Sequence, residues 1–276
     1  MIDLHTHSSF SDGTLTPYEI VKLAEKRNIY ILALTDHDTV DGINDFLDVH
    51  TNVTKIPGVE ISLENSGGTF HMIGLFIDHK NKNLSENLNN LKRFRKERNE
   101  KILQKLSNFF GEKIFEHDIS SDNMGELGRP HIAKFLIKKG VVNSVQEAFD
   151  KFLAKGRPFY EKKSKLDTDK AIQLIHDAGG IAVIAHPITL NLETAKFMSF
   201  IKELKDMGVD GIEAICPLHN KNDCDFYLQI AKDFDLVVTG GSDFHGSNKD
   251  DVQLGNLGVC KLNKEQIDKI LEIRGR

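Results

Sequence analysis

Tryptophan is absent from this 276-residue chain, and cysteine and proline are scarce, at three and six residues. Cys216, Cys224 and Cys260 are odd in number and have no C-x-x-C spacing, which excludes a disulfide framework and a thiolate zinc site. Such cysteine usage fits a reducing compartment, and the cytoplasm is the expected location. No apolar run reaches membrane-spanning length. The opening "MIDLHTHSSF" lacks the basic region and apolar stretch of a signal peptide, so the N-terminus shown is expected to be the mature one. Positive charge is not in excess: 41 acidic residues face 36 basic ones, for a net charge of −5. The electrostatic footprint of a duplex-nucleic-acid binder is therefore missing, although a small anionic substrate needs only a local patch. Internal repeats and low-complexity tracts are missing too. The remaining composition, 39% hydrophobic and 28% charged, is that of an ordinary globular protein. Its length allows either one α/β barrel with an insertion or two domains.

Short apolar runs alternate with helical patterns in both terminal thirds: "MIDLH", "IYILALT", "KIPGVEIS" and "FHMIGLFI", then "GIAVIAH", "GIEAI" and "LVVTGGSD". This is β/α alternation. Between the first two runs, Thr16 as N-cap, Pro17 at N1 and Glu19 at N3 spell a capping box and predict a helix. In "DTDKAIQLIHDAGG" a glycine pair offers the left-handed cap that returns the chain to "IAVIAH". From about Asn83 to Lys163 the strand pattern stops and a long amphipathic pattern begins, predicting a helical insertion. Its second half holds two short helical stretches, and Ser144 with Glu147 spells another capping box. "HKNKN" is the expected entry linker and "GRPFYEKKSKLDTD" the expected return. The division is 1–80 and 165–276 for the two parts of the barrel and 81–164 for the insertion.

The segment "HTHSSFSDG" packs two histidines, four hydroxyl residues and an aspartate into nine positions at the end of the first strand. Parallel α/β folds keep their active sites at strand C-termini. His5, His7 and Asp12 fall there, as do Asp36, His37 and Asp38 after the second strand and Glu60 at the close of "PGVE". His71 in "FHMIG", His186 in "IAVIAH", and Asp243 with His245 in "GGSDFH" repeat the pattern. Strand residues i and i+2 face one side, so His5 with His7, and Asp243 with His245, can address one cation. Imidazoles and carboxylates without thiolates suit Zn²⁺, Mn²⁺ or Fe²⁺, and this many donors exceeds the needs of one ion. His50, His79, His117, His176 and His219 lack this placement and are expected to be surface or packing residues.

With these motifs the chain resembles the PHP (polymerase and histidinol phosphatase) family, through "DLHTHSSFSDG", "TDHDT", "GVEIS", "AHP" and "GSDFH" in order. The resemblance implies a distorted (β/α)7 barrel with three divalent ions at the strand ends, and hydrolysis of phosphate esters. It implies one ion on His5, His7, Glu60 and Asp243, a second on Asp12, His37 and His245, and a third on Glu60, His71 and His186. A hydroxide shared between cations would then attack phosphorus in line. Asp3, Asp36 and Asp38 are expected either to orient histidines or to cap loops and strand ends.

The insertion motifs "LGRPHIAKFL" and "AFDKFLAKGRPFY" are similar to those of PHP phosphoesterases acting on nucleoside 3′,5′-bisphosphates and short 5′-phosphorylated oligoribonucleotides. By that resemblance Arg129 and His131 face the ions across a cleft. Arg129 would grip phosphate, His131 would donate or transfer a proton, and Arg157 is a further contact. The bland alternative is a helix start with Pro130 at N1. "KRFRKER", residues 92 to 98, is expected to be a solvated helix face. The expected partner is thus a small nucleotide or short single-stranded RNA, with no duplex and no membrane; the oligomeric state stays open. Competing readings are an amidohydrolase-type barrel, which has no use for Asp12, His37 and His245 together, and a histidinol phosphate phosphatase, against which the insertion argues. A third is a metal-binding accessory module without turnover.

Overall fold

The computed structural model of the protein describes residues 1–64, 67–119, 129–162 and 164–273. The chain forms two compact units, Met1–Leu88 with Lys165–Arg276, and Asn89–Ser164. The first is built on β1 (Ile2–Asp3), β2 (Ile31–Leu34), β3 (Thr54–Leu63), β4 (Phe70–Leu75), β5 (Ile181–Ile184), β6 (Gly211–Ile215) and β7 (Val237–Gly240), paired in that order. Each overlaps an apolar run read as a strand, β3 extending one residue beyond its run at either end. The ring closes beyond the regular strands. Leu4 N–H donates to the Gly240 carbonyl at 3.2 Å, Asp243 N–H to that of His5 at 2.9 Å and His7 N–H to that of Phe244 at 2.9 Å. Buried Ile31 and Ala33, Ile73 and Leu75, and Ile181, Val183 and Ala185 recur at every second position. With Ile2, Leu4, Ile56 and Ile270 they form one apolar cluster, as period-two geometry requires.

The helices, in chain order, are α1 (Pro17–Lys26), α2 (Ile43–Asp48), α3 (Lys82–Phe110), α4 (Glu116–Ile119), α5 (Arg129–Lys138) and α6 (Val145–Ala148), the last running into a π-helical turn at Phe149–Leu153. They are followed by α7 (Thr168–Asp177), α8 (Thr194–Asp206), α9 (Lys221–Asp233) and α10 (Lys264–Ile273). The Thr16–Glu19 capping box forms as expected, and Gly179, at φ 74°, takes the left-handed position after α7. Among the described residues no helix is long and apolar enough to cross a membrane.

Strand β4 departs from simple β/α alternation, pairing antiparallel with both β3 and β5. Only six residues separate Leu63 from Phe70, too few for the crossover that a parallel neighbour needs. The reversal matters for the site: His71 is the second residue of its strand, not near its end, yet it lies opposite Ser62 at the C-terminal end of β3. Glu60 and His71 also share the face that carries Ile56 and Ile73 into the apolar cluster.

The unit Asn89–Ser164 has its own core, in which Ile102 and Leu106 of α3 pack with Ile132, Phe135 and Leu136 of α5 and with Leu153 and Phe159. Three expectations need correction here. "HKNKN" is shorter as a linker than expected, because α3 already begins at Lys82, where Asn81 Oδ1 accepts from Leu84 N–H and Asn81 Nδ2 donates to the Asp177 carbonyl. The second capping box is half formed: Ser144 Oγ accepts from Glu147 N–H at 3.1 Å, but Glu147 Oε2 accepts from Asn143 N–H instead. The basic run is not wholly solvated, since Arg95 is buried and Arg98 half-buried while Arg93, Lys96 and Glu97 are exposed. The Leu127–Gly128 part of "LGRPHIAKFL" lies outside the described residues; α5 opens at Arg129.

Candidate metal centre

The residues singled out at the strand ends converge on one carboxylate. Glu60 is fully buried, and five imidazoles surround it. Its Oε2 lies 3.3 Å from His5 Nε2, 3.3 Å from His7 Nε2 and 2.8 Å from His37 Nδ1. Its Oε1 lies 3.0 Å from His71 Nδ1 and 3.0 Å from His186 Nε2. Asp243 Oδ1 stands 3.5 Å from His5 Nε2 and 3.3 Å from His7 Nε2. Asp12 is set among His245 Nε2 at 3.2 Å, His37 Nε2 at 3.7 Å and His7 Nδ1 at 3.8 Å. All nine residues expected to ligate are therefore together.

The backbone is bent to achieve this. His186 has φ 24° and Asp243 φ 56°, left-handed values that non-glycine residues adopt at some cost. At the end of β5 the unusual φ turns His186 inward, and its N–H is met by Glu213 Oε2 at 2.7 Å. Glu213 is the residue that sequence reasoning missed. Buried in β6, it also accepts from His5 Nδ1 at 3.1 Å, which leaves His5 Nε2 bare and aimed at Glu60. His245 is fixed similarly, with Nδ1 donating to the Asp243 carbonyl at 2.8 Å. Lys249 was missed as well; its Nζ lies 2.5 Å from Asp243 Oδ2, occupying the carboxylate oxygen turned away from the imidazoles.

Asp3, Asp36 and Asp38 make contacts of the capping kind. Asp3 accepts from Ser242 N–H and Oγ and from Gly255 N–H, tying the loop after β7 to β1. Asp36 accepts from Ser8 N–H, Ser8 Oγ and Ser11 Oγ and so pins the "SSFS" turn. Asp38 receives Ser62 N–H at 2.9 Å. Burial pushes the Asp3 carboxyl up to about 6. Of the histidines expected to be ordinary, His176 pairs with Asp210 at 2.8 Å and His219 is a buried packing residue against Tyr227.

Charge within the cluster is strongly correlated. Burial alone would raise the Glu60 carboxyl, but His37, His5 and His71 hold it well below the usual range. Asp243 is likewise held low against burial, chiefly by His5 and His7. His37, although buried, is pushed up to about 9 by Glu60 and Asp12. His71 is driven down to about 4 by burial, and His7 well below its ordinary value by burial with His245 and His37 beside it.

A divalent cation fits this donor set. His5 Nε2, both ring nitrogens of His7, His37 Nδ1 and Glu60 Oε2 are buried atoms without a hydrogen-bond partner, a costly arrangement unless a further group is meant to sit among them. Donor atoms of His7, Asp12, His37 and His245 lie within 4.8 Å of one another, as do those of His5, His7 and Glu60, and those of His37, Glu60 and His71. His7 and His37 thus each reach two groups, where the expected sets gave each of them to one ion.

Arg129, His131 and Arg157 belong to the other compact unit. Arg129 is exposed at the start of α5, its guanidinium 5.8 Å over the Phe149 ring. His131 is half-buried on the same helix, and Arg157 is exposed.

Comparison with known proteins agrees with this geometry. The model of the PHP domain matches residues 3–156. A 5′-3′ exoribonuclease of Haemophilus influenzae is 35% identical over 88% of this chain and 89% of its own. A 3′,5′-nucleoside bisphosphate phosphatase of Chromobacterium violaceum is 31% identical over 92% and 90%. A Bifidobacterium adolescentis structure assigned as a metal-dependent phosphoesterase superposes with TM-score 0.80 at 28% identity, covering 99% of this chain and 96% of that one.

Proposed function

The chain belongs to the PHP domain family, and from that premise we propose that it is a metal-dependent phosphoesterase acting on nucleoside 3′,5′-bisphosphates or short 5′-phosphorylated oligoribonucleotides. The observation that carries the reading is the convergence of five imidazoles on buried Glu60, with ring nitrogens left bare between them. His5, His7, Glu60 and Asp243 would hold one ion, Asp12, His37 and His245 a second, and Glu60, His71 and His186 a third. Mn²⁺, Zn²⁺ and Fe²⁺ suit these donors. When bound, divalent ions lower the pKa of water and neutralise charge on phosphoryl oxygens, so no protein nucleophile is needed. Glu213 would keep His5 in the tautomer that presents Nε2, and Lys249, held on Asp243 Oδ2, would leave Oδ1 to an ion. Residues 81–164 select the substrate: Arg129 grips a second phosphate, Arg157 adds a further cation, and His131 supplies the proton for the leaving alcohol.

Phosphate release from mononucleotides, 3′,5′-bisphosphates, short 5′-phosphorylated RNAs and histidinol phosphate tests the proposal, run after chelation and again with each metal restored. Release from the nucleotides, lost on chelation and regained with metal, is expected. Preference for histidinol phosphate would overturn the substrate assignment, and silence with every metal and substrate would make the chain a binding module.

Two further results follow from the charges at the centre. An imidazole ligates only when neutral, and His37 in the metal-free chain titrates at about 9, so loading near neutral pH must expel a proton. Apparent metal affinity should rise about tenfold per pH unit for each such proton, levelling above about 9. Titration calorimetry in buffers of differing ionisation heat measures this; a heat independent of buffer would contradict it. Glu213→Gln should weaken metal affinity by roughly 10–100-fold through a loosened His5, with turnover at saturating metal much less changed. Competition against a chelator gives the affinity, and an unchanged value would deny Glu213 its orienting role.

A further inference from the structure

A cavity at the opposite end of the barrel from the metal centre supplies the inference. It has a volume of about 440 Å³, and all of its lining belongs to the unit that carries the sheet. Ile2 opens β1 and Tyr30 directly precedes β2, so the cavity lies where strands start, whereas the metal centre is built where they end. Its walls are aliphatic, formed by Ile2, Leu254, Leu257, Leu262 and Ile267, and Tyr30 is the one aromatic residue among the described lining. Two cations stand among these walls. Arg27 Nη1 donates to the Leu254 carbonyl at 3.1 Å and to Gln253 Oε1 at 3.3 Å, both neutral acceptors. Lys261 is exposed, and its side chain makes no hydrogen bond or ion pair among the described residues. No carboxylate is found among the described lining residues, and neither cation has an acidic partner among the described residues.

Aliphatic walls with two cations and no counter-charge describe an amphipathic anion: the walls take an apolar body, and the cations take its charged end. The neutral polar groups agree. Gln253 Oε1 already accepts from Arg27, and Asn256 Oδ1 from Gly258 N–H at 3.1 Å, so these amides offer a ligand their N–H groups. A carboxylate, which only accepts, suits such a lining. A nucleobase would call for side-chain acceptors along its edge and a second ring to sandwich it, and the lining supplies neither. At about 440 Å³ the cavity falls within the roughly 300–1,000 Å³ of sites that enclose a small ligand whole. We propose that it binds a medium-chain alkyl carboxylate, with the chain against Ile2, Leu254, Leu257, Leu262 and Ile267 and the carboxylate on Arg27 and Lys261. The site is separate from the metal centre and does not rest on the phosphoesterase reading.

The test is isothermal titration calorimetry of hexanoate, octanoate and decanoate, each below its micelle concentration, into the full chain, both metal-loaded and after chelation. One site per chain is expected, with affinity rising by about fourfold for each added methylene until the cavity is full. The affinity should be the same with and without metal and should fall with salt. Lys261→Glu, an exposed change that removes no contact, should weaken octanoate by about tenfold. Arg27→Gln should weaken it by a similar factor; if that variant does not fold, Lys261→Glu decides alone. Octan-1-ol has the same chain without the charge and should bind wild type and Lys261→Glu equally. Absence of saturable decanoate binding to the wild type would overturn the site, as would octanoate affinity unchanged in Lys261→Glu. Binding lost on chelation would place the carboxylate on the metal centre instead. An equal fall for octan-1-ol in Lys261→Glu would overturn the head-group assignment, and displacement of decanoate by AMP would make the occupant a nucleotide.

Discussion

Glu60→Gln should lower turnover about a thousandfold or more, a barrier increase on the order of 4 kcal/mol, and should strip more than one metal ion from the protein. The substitution keeps shape and removes one charge. That charge pairs with His71 and His186 and is shared with His5, His7 and His37. The metal-free protein gives a second readout. Glu60 is ionised at neutral pH and faces His37, whose pKa is raised, so the variant takes from a buried cation the nearer of its carboxylates and leaves it Asp12, a loss on the order of 3 kcal/mol. The sign with pH is fixed. The Glu60 share is lost as pH falls through its depressed pKa, and the His37 share, complete below the ordinary 6.5, is lost as pH rises through about 9. The stability gap between wild type and variant should therefore be widest around neutral pH and narrow toward 9. Metal analysis, turnover and thermal unfolding check the three parts, with Asp45→Asn on the exposed side of α2 as the control. A variant retaining full metal and wild-type turnover would remove Glu60 from the centre.

What could be read without coordinates, and what could not, divides along physical lines. The strands were legible because burial of one face imposes period two, and α1 because Thr16, Pro17 and Glu19 satisfy the first-turn donors locally. The convergence of the nine residues was legible because histidines and carboxylates recur in the segments where the strands end. Glu213 was not: in "GIEAI" it is a single polar residue in a short strand, and only the closure of β5 beside β6 reveals that it meets His5 and the His186 N–H. Lys249 was hidden for the same reason, being one lysine in a polar loop until the Asp243 carboxylate is placed beside it. The direction of β4 was available in principle from the short Leu63–Phe70 spacing. Arg95 shows the converse failure. A charged helix stripe reads as solvated by composition, and its burial depends on how α3 packs within its own unit, which composition does not encode.

Arg129→Ala should lower kcat/KM for a 3′,5′-bisphosphate by roughly ten- to a hundredfold relative to kcat/KM for an aryl phosphate. A phosphate at the metal centre has its charge offset by cations there, so a second phosphate on the same nucleotide needs partners elsewhere. Arg129 can meet that need: it is exposed at the start of α5, with its guanidinium 5.8 Å from the centre of the Phe149 ring. A charge-assisted contact to phosphate is worth about 1.5–3 kcal/mol, which sets the expected ratio. The aryl phosphate carries one phosphate and no nucleoside, so it reports on the metal centre alone, and the ratio cancels any general loss of active enzyme. Arg129→Lys separates charge from geometry: a lysine restores the charge but not the bidentate fork, so the ratio should recover only in part. Equal loss on both substrates in Arg129→Ala would assign the residue to folding or to the metal centre, and would leave substrate selection by the helical unit without its principal residue.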